Sequence, residues 1–229
     1  MRIGRILFLL VAITLALSSC QRVHAEERTS ARFVDELTFL GDSITAHMAS
    51  RAEVSPQQIW CSKERYLNLD ARIMRARVVA PDTGEEELIT QLAARLQPRY
   101  LVITLGIDYG VYYYRNEPKT FALYYEKLID GIAAASPKTC ILPQSIFPVT
   151  RACRVITNEM IDNANAVIRE IAARRGLHYL DTQSVLRDES GYLLEAYCNS
   201  EDGIHLNEEA YRAILAFIEG EAERVRENG

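Results

Sequence analysis

Five short apolar runs alternate with amphipathic stretches along this chain, and that alternation limits its fold more than any single residue does. The runs are Glu36–Leu40 (ELTFL), Arg77–Ala80 (RVVA), Tyr100–Leu105 (YLVITL), Cys140–Ile146 (CILPQSI) and Leu177–Asp181 (LHYLD). Each has strand length and is rich in branched or aromatic residues. The third is apolar enough to be buried on both faces. Between the runs, Leu88, Ile89, Leu92 and Leu96 recur at helical spacing in EEELITQLAARL, behind acids that suit a helix amino terminus. Phe121, Tyr125, Leu128, Ile129 and Ile132 do the same after Pro118, and Ile161, Ala164, Ile168 and Ile171 form a stripe closed by Gly176. Asn207 is placed to cap a terminal helix.

Strands separated by helices run parallel and are joined by right-handed crossovers. The pattern therefore predicts an α/β chain, a three-layer α/β/α sandwich around a five-stranded parallel sheet of flavodoxin-like type. Such sheets carry their functional loops at the carboxyl ends of the strands. Ser43, Gly84, Asp108 and the loop after Ile146 are thus expected on one edge. A chain of 229 residues, 48% of them apolar, holds one such domain. Its net charge of −5, with acids and bases intermixed, gives no basic stripe for nucleic acid. Residues 49–75, with Pro56, Trp60 and Cys61, follow neither period.

The amino terminus is built differently. Arg2 and Arg5 precede a 12-residue apolar run, Ile6–Leu17, followed by small residues. This is the pattern of an export signal, and the run is short of the roughly 20 residues that span a bilayer. Leu17–Cys20 (LSSC) resembles the bacterial lipobox, which implies acyl chains on Cys20 and an exported protein anchored at the cell surface or envelope membrane. The expected organisation is a signal over residues 1–20, a polar tether over 21–32 and the folded domain over 33–229. With Cys20 lipidated, Cys61, Cys140, Cys153 and Cys198 form an even set with three possible pairings; four buried thiols are the other reading.

Behind the first strand stands FLGDSIT, Phe39–Thr45. A serine hydroxyl becomes a nucleophile when a base takes its proton and an acid fixes the tautomer of that base. Near the other end of the chain, DGIHLN places Asp202 and His205 three residues apart, a spacing that lets a tight loop set the carboxylate against one imidazole nitrogen. His47 follows Ser43 by four residues and shares its helix face, but no acid is spaced to orient it. His178 falls inside a strand and reads as a packed residue.

FLGDSIT with DGIHLN, in that order, resembles the SGNH hydrolases, also called the GDSL esterase and lipase family, and the resemblance spans roughly Leu37 to Phe217. It implies an acyl-ester hydrolase that works through an acyl-enzyme without metal or cofactor, on a small-molecule or polymer-borne acyl ester such as an acetylated carbohydrate. It also implies roles: Ser43 as nucleophile, His205 as base, Asp202 as its orienting partner, and an oxyanion hole made by Ser43, Gly84 and the residue at 108. There the chain departs from the family, carrying Asp108 in TLGIDYG where the family has asparagine. An ionised aspartate accepts and does not donate. Three readings follow: a protonated Asp108 that donates, an Asp108 that faces away, or a weakly or non-catalytic surface protein that binds glycan or lipid in the same cleft. Asp42 is expected to support the turn. Tyr109, Tyr112, Tyr113 and Tyr114 stand beside the oxyanion loop, where they either pack the loop or face a sugar or acyl chain. Arg151 and Arg154 follow the fourth run on the same edge.

Overall fold

The structure, a computed structural model, describes residues 32–107 and 109–228. The expected export signal, Cys20 and the expected tether up to residue 31, and Asp108, lie outside the described residues. Along the chain, β1 (Leu37–Gly41) leads into α1 (Ser43–Arg51), and β2 (Ile59–Trp60) follows. Then β3 (Arg77–Val79) and β4 (Glu86–Leu88) precede α2 (Ile89–Leu96). After these come β5 (Tyr100–Thr104), α3 (Pro118–Ala135), β6 (Cys140–Pro143) and α4 (Asn158–Arg175), with α5 (Glu208–Gly220) and α6 (Ala222–Asn228) last.

The main sheet runs β2-β1-β5-β6, all parallel. Its centre is the β1–β5 pair, in register from Leu37↔Tyr100 to Gly41↔Thr104. Every residue of β5 is buried, as its unbroken apolar run requires. Helix α3 packs against α2 and α4, and α1 packs against α5. Right-handed crossovers place these two groups on opposite faces of the sheet. The expected stripes are buried: Phe121, Tyr125, Leu128, Ile129 and Ile132 on α3, and Ile161, Ala164, Ile168 and Ile171 on α4. Asn207 caps α5, its side chain accepting from the Ala210 N–H at 3.1 Å.

Three expectations change. The RVVA run does not join the parallel sheet: β3 pairs antiparallel with β4 in a separate ribbon. Of its residues Arg77–Val79 only Val78 is buried, which suits a one-sided ribbon. The place beside β1 goes to Ile59 and Trp60, both buried. The LHYLD run shrinks to a single parallel bridge, Gln144↔Leu180, so the sheet has four strands and not five. Leu180 alone among Leu177–Leu180 is buried, so the run has no second apolar face to cover. The acids of EEEL belong to the hairpin, and α2 begins at Ile89, after them.

The loop after β6 is fixed from α4 by two asparagines a pair of helical turns apart. Asn165, 1% exposed, takes the Ile146 N–H at 2.8 Å and gives its own amide to the Ile146 carbonyl at 2.9 Å. Asn158 does the same to Val149, at 2.9 Å in both directions. Asn165→Ala leaves a buried donor and a buried acceptor of Ile146 unpaired, at about 1–3 kcal/mol each. The expected result is a loss of about 3 kcal/mol in urea unfolding with an unchanged m-value, against a loss below about 0.5 kcal/mol for an exposed substitution such as Glu170→Ala.

Candidate active site

Strand β1 ends where it lies closest to β5. A methyl group at Gly41 would collide with the Thr104 carbonyl oxygen and the Thr45 hydroxyl, so glycine alone lets the strand finish in register. The chain then turns through Asp42, 1% exposed, whose carboxylate accepts from the Ile44 N–H at 3.2 Å and caps α1. Ser43 opens the helix. Its N–H belongs to the first turn, where backbone donors have no intrahelical acceptor and the helix dipole is positive.

The imidazole arrives on a tight reversal over residues 197–207. Cys198 bridges Leu206 antiparallel, the Asn199 N–H donates to the His205 carbonyl at 2.8 Å, and the Asn207 N–H donates to the Tyr197 carbonyl at 2.9 Å. At its tip Gly203 adopts φ +76°, and a Cβ there would lie 2.8 Å from the Cys153 nitrogen. The Thr150 N–H donates to the Gly203 carbonyl at 2.9 Å, so the loop after β6 holds the tip in place.

Within this loop Asp202 divides its carboxylate. One oxygen accepts from the Ile204 N–H at 2.8 Å and from the Ser200 hydroxyl. The other lies 2.9 Å from His205 Nδ1, and His205 Nε2 lies 3.2 Å from Ser43 Oγ. Partial burial works against the carboxylate, but the hydrogen bonds from Ser200, Ile204 and His205 outweigh it and hold Asp202 down at about 2. The structure thus joins Ser43, His205 and Asp202 in one hydrogen-bonded chain across 162 residues of sequence.

Two further contacts tie the same parts together. The buried Tyr211 hydroxyl donates to the Ile44 carbonyl at 2.7 Å, and Arg51 Nη1 donates to the Leu206 carbonyl at 2.9 Å. His47, on the Ser43 face of α1, sets its ring 5.2 Å from that of His205, with a buried Nδ1 that has no partner. Sequence reasoning set His47 aside for want of an acid, and passed over Ser200, Arg51 and Tyr211. The one signal available was Ser200 two residues before Asp202, a spacing at which a hydroxyl reaches a turn carboxylate.

The Gly84 amide is engaged within its own turn. Its N–H donates to the Ala80 carbonyl at 2.8 Å and closes the β3–β4 hairpin, and no side chain or backbone approaches the position of a Cβ there within 4 Å. The amide is committed to the turn, so the oxyanion role inferred from its place after a strand and before a helix has no free donor. Cys61, Cys140, Cys153 and Cys198 are all free thiols. Arg151 lies over the Tyr192 ring and pairs with Asp188 at 3.1 Å, and His178 meets Glu221 at 3.1 Å. Among the described residues no group of three or more His, Cys, Asp or Glu side chains is placed to hold a metal ion.

The model of the GDSL-like lipase/acylhydrolase family matches residues 39–213. Solved structures share the fold at low identity. A Streptococcus pneumoniae protein aligns with a TM-score of 0.57 and 17% identity, covering 94% of this chain and 98% of that one. A GDSL-like lipase from Bacteroides thetaiotaomicron aligns at 0.54 and 20%, covering 89% and 97%. An acetyl-xylo-oligosaccharide esterase from Geobacillus stearothermophilus aligns at 0.50 and 16%, covering 81% and 93%. A search of curated protein sequences finds no match.

His47 gives the site a pH signature. Burial, with Arg51, His205 and Arg65 nearby, pushes its ring from 6.5 down to about 4. The unfolded chain therefore binds this proton near pH 6.5 and the folded chain only near pH 4, so stability is full above the first value and declines toward the second. Asp202, held at about 2, adds its own loss only below its ordinary value of 3.8. The melting temperature is expected to fall between pH 7 and pH 4.5, and His47→Gln to flatten that fall; an equal slope in the variant would remove His47 as its source.

Proposed function

The chain belongs to the GDSL-like lipase/acylhydrolase family, and from that membership we propose that it is an exported, surface-anchored serine esterase using Ser43, His205 and Asp202. One observation carries this reading: the hydrogen-bonded chain from Ser43 Oγ through His205 to Asp202. In the proposed reaction His205 Nε2 takes the Ser43 proton as Oγ attacks the acyl carbon. Asp202 stabilises the resulting imidazolium through Nδ1–H. The imidazolium then protonates the leaving alcohol as the C–O bond breaks, leaving the acyl group on Ser43. Water, deprotonated by the same imidazole, attacks the acyl-enzyme, and the proton passes back to Oγ as the acid departs.

The oxyanion of each tetrahedral intermediate would face the Ser43 N–H at the positive end of α1. Position 108 carries an acid where the family has a donor, and removal of one such donor lowers rates by about 10²–10³-fold. That shortage, together with the committed Gly84 amide, favours a second reading: a protein that binds its ester or glycan and turns it over very slowly. Lipid on Cys20 would hold either kind of protein at the membrane. In that case Cys20→Ala moves it from the membrane to the soluble fraction; unchanged partitioning sinks the anchor.

A fluorophosphonate probe separates the two readings. Labelling of the wild type that vanishes in Ser43→Ala, with ester hydrolysis falling at least about 10³-fold, supports the enzyme. Folded wild type that takes no label supports the slow binder. In the same assay Asp108→Asn is expected to raise turnover on a chromogenic acetyl ester by up to about a hundredfold, and an unchanged or lower rate rejects an oxyanion role for position 108.

A further inference from the structure

Among the described residues three aromatic side chains are exposed: Tyr66 at 66%, Tyr113 at 53% and Tyr112 at 38%. They come from two segments that meet, because the Leu69 N–H donates to the Tyr109 carbonyl at 3.0 Å. Both segments border the edge that carries Ser43. The tyrosine loop follows β5, whose last residue pairs with Gly41. The other segment follows β2, which pairs with β1 up to Leu40↔Trp60, next to the turn that carries Ser43.

Two of the exposed rings, Tyr112 and Tyr113, are held by their neighbours. Tyr113 stacks on Tyr109 with centroids 3.9 Å apart, and Tyr112 meets Tyr113 edge-on at 5.7 Å. Tyr109 rests edge-on against Tyr114 at 6.2 Å, and Tyr114 against Tyr124 at 5.6 Å, so the row of rings runs back into α3. Arg115 covers one face of Tyr112 at 4.4 Å. One face of Tyr113 is therefore fixed by its neighbour while more than half of the residue remains open to solvent. An aromatic surface ordered before binding loses little freedom when a ligand arrives.

Beside it lies an open cleft of about 390 Å³, lined in part by Glu64, Tyr66, Asn68, Arg72, Arg75 and Glu86. An acyl tail there would strip water from these charged and amide groups without replacing their hydrogen bonds. A phosphorylated ligand would meet Glu64, Asp70 and Glu86 beside Arg72, Arg75 and Arg77, a lining in which acids match the arginines, on a chain of net charge −5. A sugar suits both parts: its C–H face lies on a tyrosine ring, whose π-face is negative, and its hydroxyls both donate to carboxylates and accept from arginine and amide groups.

We propose that the Tyr66, Tyr112 and Tyr113 surface and the adjoining cleft form a subsite for the carbohydrate chain that carries the ester, making the substrate an O-acylated glycan. The proposal rests on the esterase reading of Ser43 and names the substrate of that same site. The test uses the mature domain with two substrates, an O-acetylated xylo-oligosaccharide and p-nitrophenyl acetate. In Tyr66→Ala/Tyr113→Ala, kcat/KM on the oligosaccharide is expected to fall at least about tenfold, mainly through KM. The value on p-nitrophenyl acetate stays within about twofold, and Tyr113→Phe, which keeps the ring face, restores the oligosaccharide value. Equal losses on both substrates, or no loss on either, overturn the subsite. Titration calorimetry on Ser43→Ala protein tests it apart from catalysis, with O-acetylated xylo-oligosaccharide and O-acetylated peptidoglycan fragments as probes. Saturable binding that the tyrosine substitutions abolish supports the subsite even where the wild type hydrolyses nothing, a result that sinks the esterase reading alone. Binding of neither probe, or binding of phospholipid vesicles in their place, overturns it.

Discussion

The arrangement depends on one contact between distant parts of the chain, the hydrogen bond from the Tyr211 hydroxyl to the Ile44 carbonyl. It is buried, so it forms away from competing water, and an unpaired hydroxyl or carbonyl there would be penalised. It fixes α5 against the first turn of α1, and the loop just before α5 carries His205. Arg51 repeats the tie two turns further along α1 by donating to the Leu206 carbonyl. With the carboxyl end of that loop tied to α1 at Leu206 and again through Tyr211, the Ser43–His205 distance follows from the packing of two helices and not from loop conformation alone. Closing so long a span of chain is entropically tolerable because the cost rises only with the logarithm of its length.

The tip of the same loop is held from a different direction. Thr150 grips Gly203, Asn158 grips Val149, and Asn165 grips Ile146, so a line of side-chain and backbone bonds runs from α4 to the residue between Asp202 and His205. Asn158 and Asn165 reach backbone where no strand continues, and so satisfy groups that a longer β6 would have paired. This explains why a segment without regular structure, Gln144–Thr150, is buried throughout. It also accounts for a polar residue inside α4: Asn165 is buried because the Ile146 main chain and the Gln183 side chain satisfy its amide.

What could be read in the sequence was what depends on local pattern. YLVITL had to be a central strand because its apolar residues occupy both faces, and the stripes of α3 and α4 had to be core because helical spacing gathers them on one face. Asp202 and His205 were legible because three residues suffice to set their relation. The misreadings came where partners decide. RVVA has strand character, but only the tertiary choice between β1 and β4 settles where it pairs, and Ile59–Trp60 is too short to announce itself. Gly84 looked free because sequence shows a glycine after a strand and is blind to whether Ala80 has claimed its N–H. His47 lacked an acid and was passed over, yet its significance lies in a second imidazole supplied from the far end of the chain.

These features constrain the chemistry together. In the proposed reaction Asp202 is already ionised, 2.9 Å away, when His205 becomes cationic, and His47, kept neutral by burial down to about pH 4, adds no repulsion. The proton-transfer side of the site is therefore well supplied. The oxyanion side of the proposed mechanism is not, since the Gly84 amide is closed and position 108 is an acid. An enzyme short of transition-state donors can still gain rate by using remote binding energy to hold the ester against its nucleophile, because orientation alone lowers barriers substantially. The proposed tyrosine subsite would supply such energy for a glycan and withhold it from a small soluble ester. On this view weakness at the oxyanion and strength at the tyrosine surface form one design, in which discrimination between substrates comes from the part of the molecule that does not react.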